Sequence, residues 1–154
     1  MFEILPFKAE HLPQVMALEN ELFPDTAWSE STYLSELELV GQSRVYWVVV
    51  EEEQVIGYAG LYYLPPESDI QTIAVAQPHQ GRGIGTCLMN QLIAEAKERG
   101  CHKMMLEVEV GNTSARDLYL KFGFRELGTR VNYYGPGLDC VVMELPDLSE
   151  ARHG

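Results

Sequence analysis

Basic residues are scarce in this chain. Its 154 residues include 11 lysines and arginines against 23 aspartates and glutamates, which gives a formal net charge of -12. Binding to nucleic acid or to an anionic membrane needs a basic surface that neutralises phosphate groups. The composition therefore argues against both partners and favours a cationic substrate, which an acidic protein attracts. Solubility alone is the alternative explanation of the acidity.

Cysteine and long apolar runs are also scarce. The cysteines, Cys87, Cys101 and Cys140, are odd in number and widely spaced, so neither a disulfide framework nor a zinc site is predicted. The N-terminal residues lack the features of a signal peptide, and no apolar run reaches the about 18 residues that a membrane helix needs. We therefore expect a cytoplasmic protein that holds no metal.

Hydrophobic periodicity and turn residues predict one α/β domain over residues 1–146, followed by a polar, frayed tail at residues 147–154. The expected order of elements is β-α-α-β-β-β-α-β-α-β-β, which makes a mixed sheet. The triple glutamate that begins at Glu51 is typical of a solvated hairpin tip. The last two strands are expected at 124–131 and 140–145, around a loop rich in tyrosine, glycine and proline.

A glycine-rich turn joins the strand that ends near Val75 to the helix that begins near Ile84. Its sequence is Gln80-Gly81-Arg82-Gly83-Ile84-Gly85. Alternating glycines let the backbone curl and expose successive N–H groups, and the start of the helix adds unpaired donors and a partial positive charge. The turn therefore suits a pyrophosphate, with Arg82 as an added charge. A flexible connection without a ligand is the alternative.

Two other phosphate-binding motifs fit this turn poorly. A P-loop needs G-x-x-x-x-G-K-[ST], and no such lysine is present. A dinucleotide fingerprint needs G-x-G-x-x-G, but the third glycine position holds Thr86 or Leu88, depending on which glycine begins the count. Neither motif explains the spacing.

The spacing Gln80-x-x-Gly83-x-Gly85 matches the Q/R-x-x-G-x-G/A signature of the GNAT acetyltransferases. Other motifs follow in that family's order: Ile73-Ala74-Val75, Leu106-Glu107-Val108 with Asn112, Leu118-Tyr119-x-x-x-Gly123-Phe124, and Asn132-Tyr133-Tyr134. From Phe2 to Leu145 the chain resembles the bacterial ribosomal-protein-alanine N-acetyltransferases of this family. The resemblance implies the GNAT acyl-CoA N-acyltransferase fold, a central, mostly antiparallel sheet flanked by about four helices.

The resemblance also implies acetyl-coenzyme A (acetyl-CoA) as the co-substrate. Asn112 is equally suited to cap the helix that follows it. The residues expected to bind acetyl-CoA are Ile73, Ala74, Val75, Gln80, Gly81, Arg82, Gly83, Ile84, Gly85, Thr86, Asn112 and Tyr119.

Transfer of an acetyl group from a thioester to an amine needs a neutral amine and a proton for the departing thiolate. Glu107, in an apolar strand, is the candidate base, and Tyr119, whose phenol has an ordinary pKa of about 10, is the candidate acid. Each has a structural alternative, because Glu107 has the same strand parity as Glu109 and Tyr119 shares an apolar helix face. The resemblance favours the catalytic roles and direct transfer.

The acceptor that the resemblance implies is a protein N-terminus, with alanine first in a small-subunit ribosomal protein and basic residues behind it. Trp28, Glu107, Tyr133 and Tyr134 are the candidate substrate-binding residues, and ordinary packing is the alternative for the aromatic ones. Acetylation of another amine, such as a polyamine, a drug or a different protein N-terminus, is the nearest rival function. A non-catalytic acyl-CoA-binding module is the rival from another class.

Overall fold

In a computed structural model, which describes residues 1–152, seven strands and four helices follow the expected order. The strands are β1 (Glu3–Pro6), β2 (Arg44–Glu51), β3 (Gln54–Leu64), β4 (Glu67–Val75), β5 (Lys103–Glu109), β6 (Arg125–Gly135) and β7 (Leu138–Leu145). The helices are α1 (Leu12–Leu22), α2 (Glu30–Glu38), α3 (Ile84–Glu98) and α4 (Thr113–Phe122). The last two residues of the expected tail, 153 and 154, lie outside the described residues.

The seven strands form one sheet in the order β1-β2-β3-β4-β5-β7-β6. Strand pairing is antiparallel between β1 and β2, β2 and β3, β5 and β7, and β6 and β7. The pairing of β4 with β5 is parallel and joins Glu67–Asp69 to Lys103–Met105. The predicted mixed, mostly antiparallel sheet with four helices is confirmed.

The fold divides into two units. The first consists of Met1–Tyr62 with Gln71–Leu88, and the second of Tyr63–Ile70 with the chain from Met89 onward. The core of the first unit is aromatic and aliphatic, formed by Phe7, Leu12, Val15, Tyr33, Tyr46, Val48, Val55, Tyr58 and Ala74. In the second unit, β5 buries every other side chain, so that one face of this strand belongs to the core. The prediction of a single domain over residues 1–146 stays a prediction.

Helix boundaries follow from local chemistry. The hydroxyl of Ser29 accepts a hydrogen bond from the backbone N–H of Thr32 at 3.1 Å and caps the start of α2. The side chain of Asn112 accepts one from the N–H of Ala115 at 3.3 Å and caps α4. Gly123 ends α4 with a φ of +102°. Within residues 1–152, every helix is too short or too polar to cross a lipid bilayer.

The expected loop after Val131 is wrong, because β6 continues to Gly135 and β7 already begins at Leu138. Asn132 takes a φ of +56°, a conformation that asparagine tolerates better than most residues. Its N–H donates to Asp139 Oδ1 at 2.8 Å, and its own Oδ1 accepts from the N–H of Gly137 at 2.7 Å. These bonds close a short turn, so that the two tyrosines after Asn132 lie on a strand.

The expectation of a frayed tail is wrong for residues 147–152. Leu148 is buried, with 1% of its surface exposed, and its N–H donates to the carbonyl of His102 at 2.8 Å. The N–H of Arg152 donates to the carbonyl of Phe122 at 2.9 Å. The segment is polar except for a few apolar side chains, and the burial of Leu148 holds it in place within the second unit.

Replacement of Gly123 by alanine should lower the free energy of unfolding by about 1–2 kcal/mol, because a side chain is strained at this positive φ. A Cβ at this position would make only ordinary contact with Leu145, so the expected loss comes from the backbone. Urea unfolding measures the change. Gly128→Ala is the matched control, since a Cβ there meets open space, and an equal effect of both substitutions would contradict the prediction.

Candidate active site

The turn between β4 and α3 lies in the first unit. Gly81 and Gly83 have φ values of +82° and +83°, a conformation that favours glycine. A Cβ at either position would meet open space, so backbone conformation rather than crowding requires these two glycines. The side-chain amide of Gln80 donates to the carbonyl of Val75 at 3.0 Å. This bond holds the turn to the end of β4.

The groups that this turn presents fit a pyrophosphate. The first N–H groups of a helix have no acceptor within the helix and lie at the positive end of its dipole, which applies to α3 from Ile84 onward. The open space beside Gly81 and Gly83 leaves their backbone accessible. Gly85 and Thr86 already belong to α3 and are half-buried. The predicted turn-to-helix arrangement is therefore present.

The side chain of Arg82 is engaged within the protein. Its two terminal nitrogens donate to the two carboxylate oxygens of Glu51 at 3.1 and 2.7 Å, and one of them lies 2.7 Å from Nδ1 of His79. The hydrogen bond from Arg82 is the main reason that the pKa of Glu51 is lowered to about 2. The expectation of a solvated acidic hairpin tip is thus wrong for Glu51, whereas Glu52 and Glu53 are exposed.

Glu107 lies on β5 in the second unit, on the face that is not fully buried, and its side chain is 28% exposed. A guanidinium nitrogen of Arg130 lies 3.8 Å from its Oε1, and the Arg130 guanidinium also stands 5.5 Å from the ring centre of Tyr133. Burial is the main cause of the raised pKa of Tyr133 and of Tyr134, and the charge of Glu107 adds to both shifts. These residues therefore form a cluster of charged and phenolic groups.

Tyr119 lies on α4 and is buried, with 5% of its surface exposed. Its ring centre lies 6.0 Å from that of Phe124, which is the packing contact expected for an apolar helix face. Burial raises the pKa of its phenol, so the hydroxyl is protonated at neutral pH. Packing and a role as proton donor are compatible for this residue.

A buried carboxylate that the sequence reasoning missed lies in the first unit. Glu19 on α1 is 3% exposed, and its Oε1 accepts hydrogen bonds from the hydroxyls of Tyr33 at 2.7 Å and Tyr58 at 2.6 Å. Its Oε2 accepts one from the backbone N–H of Trp28 at 3.0 Å. The signal was present in the sequence, because Glu19 continues the helical spacing of the buried Leu12 and Val15.

Trp28 is held at this carboxylate by its backbone, and its ring centre lies 5.0 Å from that of Tyr33. The indole packs against the core of the first unit and is half-buried. The packing alternative named for Trp28 is therefore present in the structure. The side chain of Glu19 on α1 therefore joins the backbone of Trp28 to Tyr33 on α2 and to Tyr58 on β3.

The predicted site residues are distributed over both units. The first unit contains Trp28, the end of β4 at Ile73, Ala74 and Val75, and the turn through Thr86. Ala74 is buried, and its two neighbours are half-buried. The second unit contains Glu107, Asn112, Tyr119, Tyr133 and Tyr134. Within that unit Arg130 lies close to both Glu107 and Tyr133, and the ring centre of Tyr133 lies 5.0 Å from that of Tyr134.

Sequence and structure comparisons with known proteins match the part of the chain that contains the turn between β4 and α3. The model of the Acetyltransferase (GNAT) family matches residues 12–124. The chain belongs to the GNAT acetyltransferase family. As a member of this family it is an N-acetyltransferase, and the family takes its acetyl group from acetyl-CoA.

Several relatives of this GNAT acetyltransferase cover almost its whole length. It is 31% identical over 151 residues to the [ribosomal protein bS18]-alanine N-acetyltransferase of Escherichia coli K12, covering 95% of this chain and 98% of that protein. The crystal structure of the ribosomal-protein-S18-alanine N-acetyltransferase from Escherichia coli superposes with a TM-score of 0.82 at 29% identity, covering 96% and 94% of the two chains. A ribosomal-protein-alanine N-acetyltransferase from Brucella melitensis gives a TM-score of 0.79 at 27% identity, with 94% and 99% covered.

Replacement of Glu19 by alanine should lower the free energy of unfolding by about 3 kcal/mol or more, because two buried hydroxyls and one partly buried N–H lose their acceptor. Tyr58→Phe removes one of these donors and should cost about 1.5 kcal/mol. Denaturant unfolding followed by tryptophan fluorescence measures both. Glu21→Ala removes an exposed carboxylate from the same helix and serves as the control. Equal stability of the Glu19 and Glu21 variants would refute the structural role of Glu19.

Proposed function

We propose that the protein acetylates the N-terminal α-amine of a protein, and that its substrate is the alanine N-terminus of a small-subunit ribosomal protein. The observation that carries this proposal is the Glu107 cluster, in which Arg130 lies close to both the carboxylate of the Leu-Glu-Val motif and the ring of Tyr133 in the Asn-Tyr-Tyr motif. The names of the relatives, which specify alanine of ribosomal protein bS18, support the same substrate. A cytoplasmic location belongs to this proposal.

The chemistry of the acceptor supports an α-amine. Such an amine has an ordinary pKa of about 7.7–8.0, so a useful fraction is neutral at physiological pH, whereas a lysine amine, near 10.4, is almost fully protonated. A partly exposed carboxylate suffices as a base for the first and is poorly matched to the second. Basic residues after the alanine would be attracted by the net charge of -12.

Bound acetyl-CoA supplies an activated acetyl thioester. We assign its binding to Ile73–Val75, to the turn from Gln80 to Thr86 and to Asn112, with backbone N–H groups of the turn facing its pyrophosphate. Glu107 accepts a proton from the acceptor amine at a carboxylate oxygen, directly or through water. The Tyr119 hydroxyl donates a proton to the departing sulfur. Trp28, Tyr133 and Tyr134 contact the first residues of the acceptor.

Direct transfer to the amine is favoured over an acyl-cysteine mechanism. Cys140 is buried, and burial raises the pKa of its thiol, which keeps it in the less nucleophilic protonated form. Cys87 is exposed near the start of the largely apolar helix α3. A carboxylate and a phenol at the motif positions also favour an enzyme over a module that only binds acyl-CoA.

The acceptor is tested by measuring release of the CoA thiol with a panel of amines. Peptides that begin Ala-Arg should react faster than peptides that begin with serine or methionine, and much faster than an N-terminally blocked lysine peptide or spermidine. The names of the relatives specify alanine, the demand for a neutral α-amine disfavours lysine, and the net charge of -12 favours a basic neighbour. Preference for spermidine or for the blocked lysine peptide would exclude the N-terminal assignment.

The assigned acid and base are tested by conservative substitutions. Glu107→Gln and Tyr119→Phe should each reduce kcat by about 10²–10⁴-fold, because each removes a proton-transferring group, while binding of CoA is retained. Stopped-flow or steady-state thiol release gives kcat, and calorimetry gives the affinity. Glu109→Gln, the same change on the same face of β5, is the control. Near-normal rates in both variants would remove these residues from the mechanism.

A further inference from the structure

The side chain of Arg82 points to a role that the glycine signature does not specify. Arg82 lies between two glycines of positive φ in the turn assigned to the pyrophosphate, where a guanidinium is an obvious candidate ligand. Its terminal nitrogens are instead paired with both oxygens of Glu51, the last residue of β2. All of these residues belong to the first unit.

We infer that Glu51 is a positioning residue for acetyl-CoA. Through its ion pair with Arg82 it holds the glycine turn in the conformation that presents its N–H groups, and the Arg82 side chain is not itself a phosphate ligand. This inference rests on the proposed binding of acetyl-CoA at the turn. It assigns a function to a glutamate that the sequence places in an acidic hairpin tip.

The pair has the geometry of a specific brace. Arginine matches a carboxylate with two parallel hydrogen bonds, which fixes direction as well as distance. Here the bonds measure 3.1 and 2.7 Å, and the Glu51 side chain is only 17% exposed although it ends a strand. One further cation approaches the same carboxylate, the Met1 amine at 3.5 Å, and Nδ1 of His79 lies 3.8 Å from it. The carboxylate is therefore the centre of a small cluster.

The turn needs such a brace because glycine has more backbone freedom than any other residue. One end of the turn is held by the bond from Gln80 to Val75, and the other by the first helical bond of α3, from the N–H of Cys87 to the carbonyl of Gly83. Arg82 lies in the middle of the turn, and its ion pair with Glu51 attaches the turn to β2. Ordering the loop before the ligand binds reduces the entropy that binding must offset.

The two possible roles of Arg82 predict opposite effects of Glu51→Gln. If Glu51 braces the turn, its loss should weaken CoA binding about tenfold, the size expected for coupled neighbours. Arg82→Met should weaken binding by the same factor, and the double variant by no more than either single one. Isothermal titration calorimetry with CoA measures each affinity, and the KM for acetyl-CoA should rise with little change in kcat.

The matched control is Glu52→Gln, which makes the same change of charge one residue further along the hairpin, where the side chain is exposed. It should bind CoA like the unmodified protein. Thermal unfolding of each variant shows whether the fold is intact. If Glu51→Gln does not fold, the exchanged pair Glu51→Arg with Arg82→Glu replaces it, and recovery of CoA binding in that protein supports the brace.

Three outcomes overturn the inference. Unchanged or tighter CoA binding by Glu51→Gln, with weaker binding by Arg82→Met, makes Arg82 a direct phosphate ligand. Equal affinities of the Glu51 and Glu52 variants remove any role for Glu51. Losses that add in the double variant mean that the two residues act independently. Failure of the unmodified protein to bind CoA is distinct from these, because it overturns the proposed function itself.

Discussion

The backbone between β4 and α3 turns through two residues with φ near +82°, a region that side chains disfavour. This constraint explains why glycine occurs at 81 and 83, and Gly83 directly precedes Ile84, the first residue of α3. Both elements that the turn joins contribute residues to both units of the fold. A change in the direction in which α3 leaves the turn would therefore move the N–H groups at its start, which are assigned to the pyrophosphate. It would also change the packing of the apolar residues of the helix.

Two buried carboxylates are stabilised in different ways. Glu19 is surrounded by neutral donors, two phenols and one backbone N–H, and it ties the Trp28 segment to α1 and β3. Glu144 on β7 is 6% exposed and pairs with Lys103 and Arg125 at 3.1 Å each, and its pKa is lowered by these cations, Lys103 first. Buried charges need such partners because desolvation is costly. The bonds of Glu19 connect a loop, two helices and a strand, whereas the ion pairs of Glu144 join β7 to its neighbours β5 and β6.

Much of the fold could be predicted from local patterns. The order of elements and the Asn112 cap are set by side chains and backbone within a few residues of each other, and these predictions are confirmed. The predictions for the last loop and for the tail were wrong, because contacts between residues that are not local neighbours determine the structure there. The strand through Tyr133 and Tyr134 depends on a turn that Asn132 closes with Asp139, and the tail is held by the burial of Leu148.

The sequence by itself determined the family, because the glycine spacing and the Leu-Glu-Val and Asn-Tyr-Tyr motifs are read from adjacent letters. It also placed the candidate base and acid on a strand and a helix. Only the tertiary structure decided what surrounds them. The pairing of Arg82 with Glu51, of Glu107 with Arg130, and of Glu19 with three donors joins residues 31, 23 and up to 39 positions apart. Such contacts arise when strands and helices pack, so no local pattern of residues specifies them.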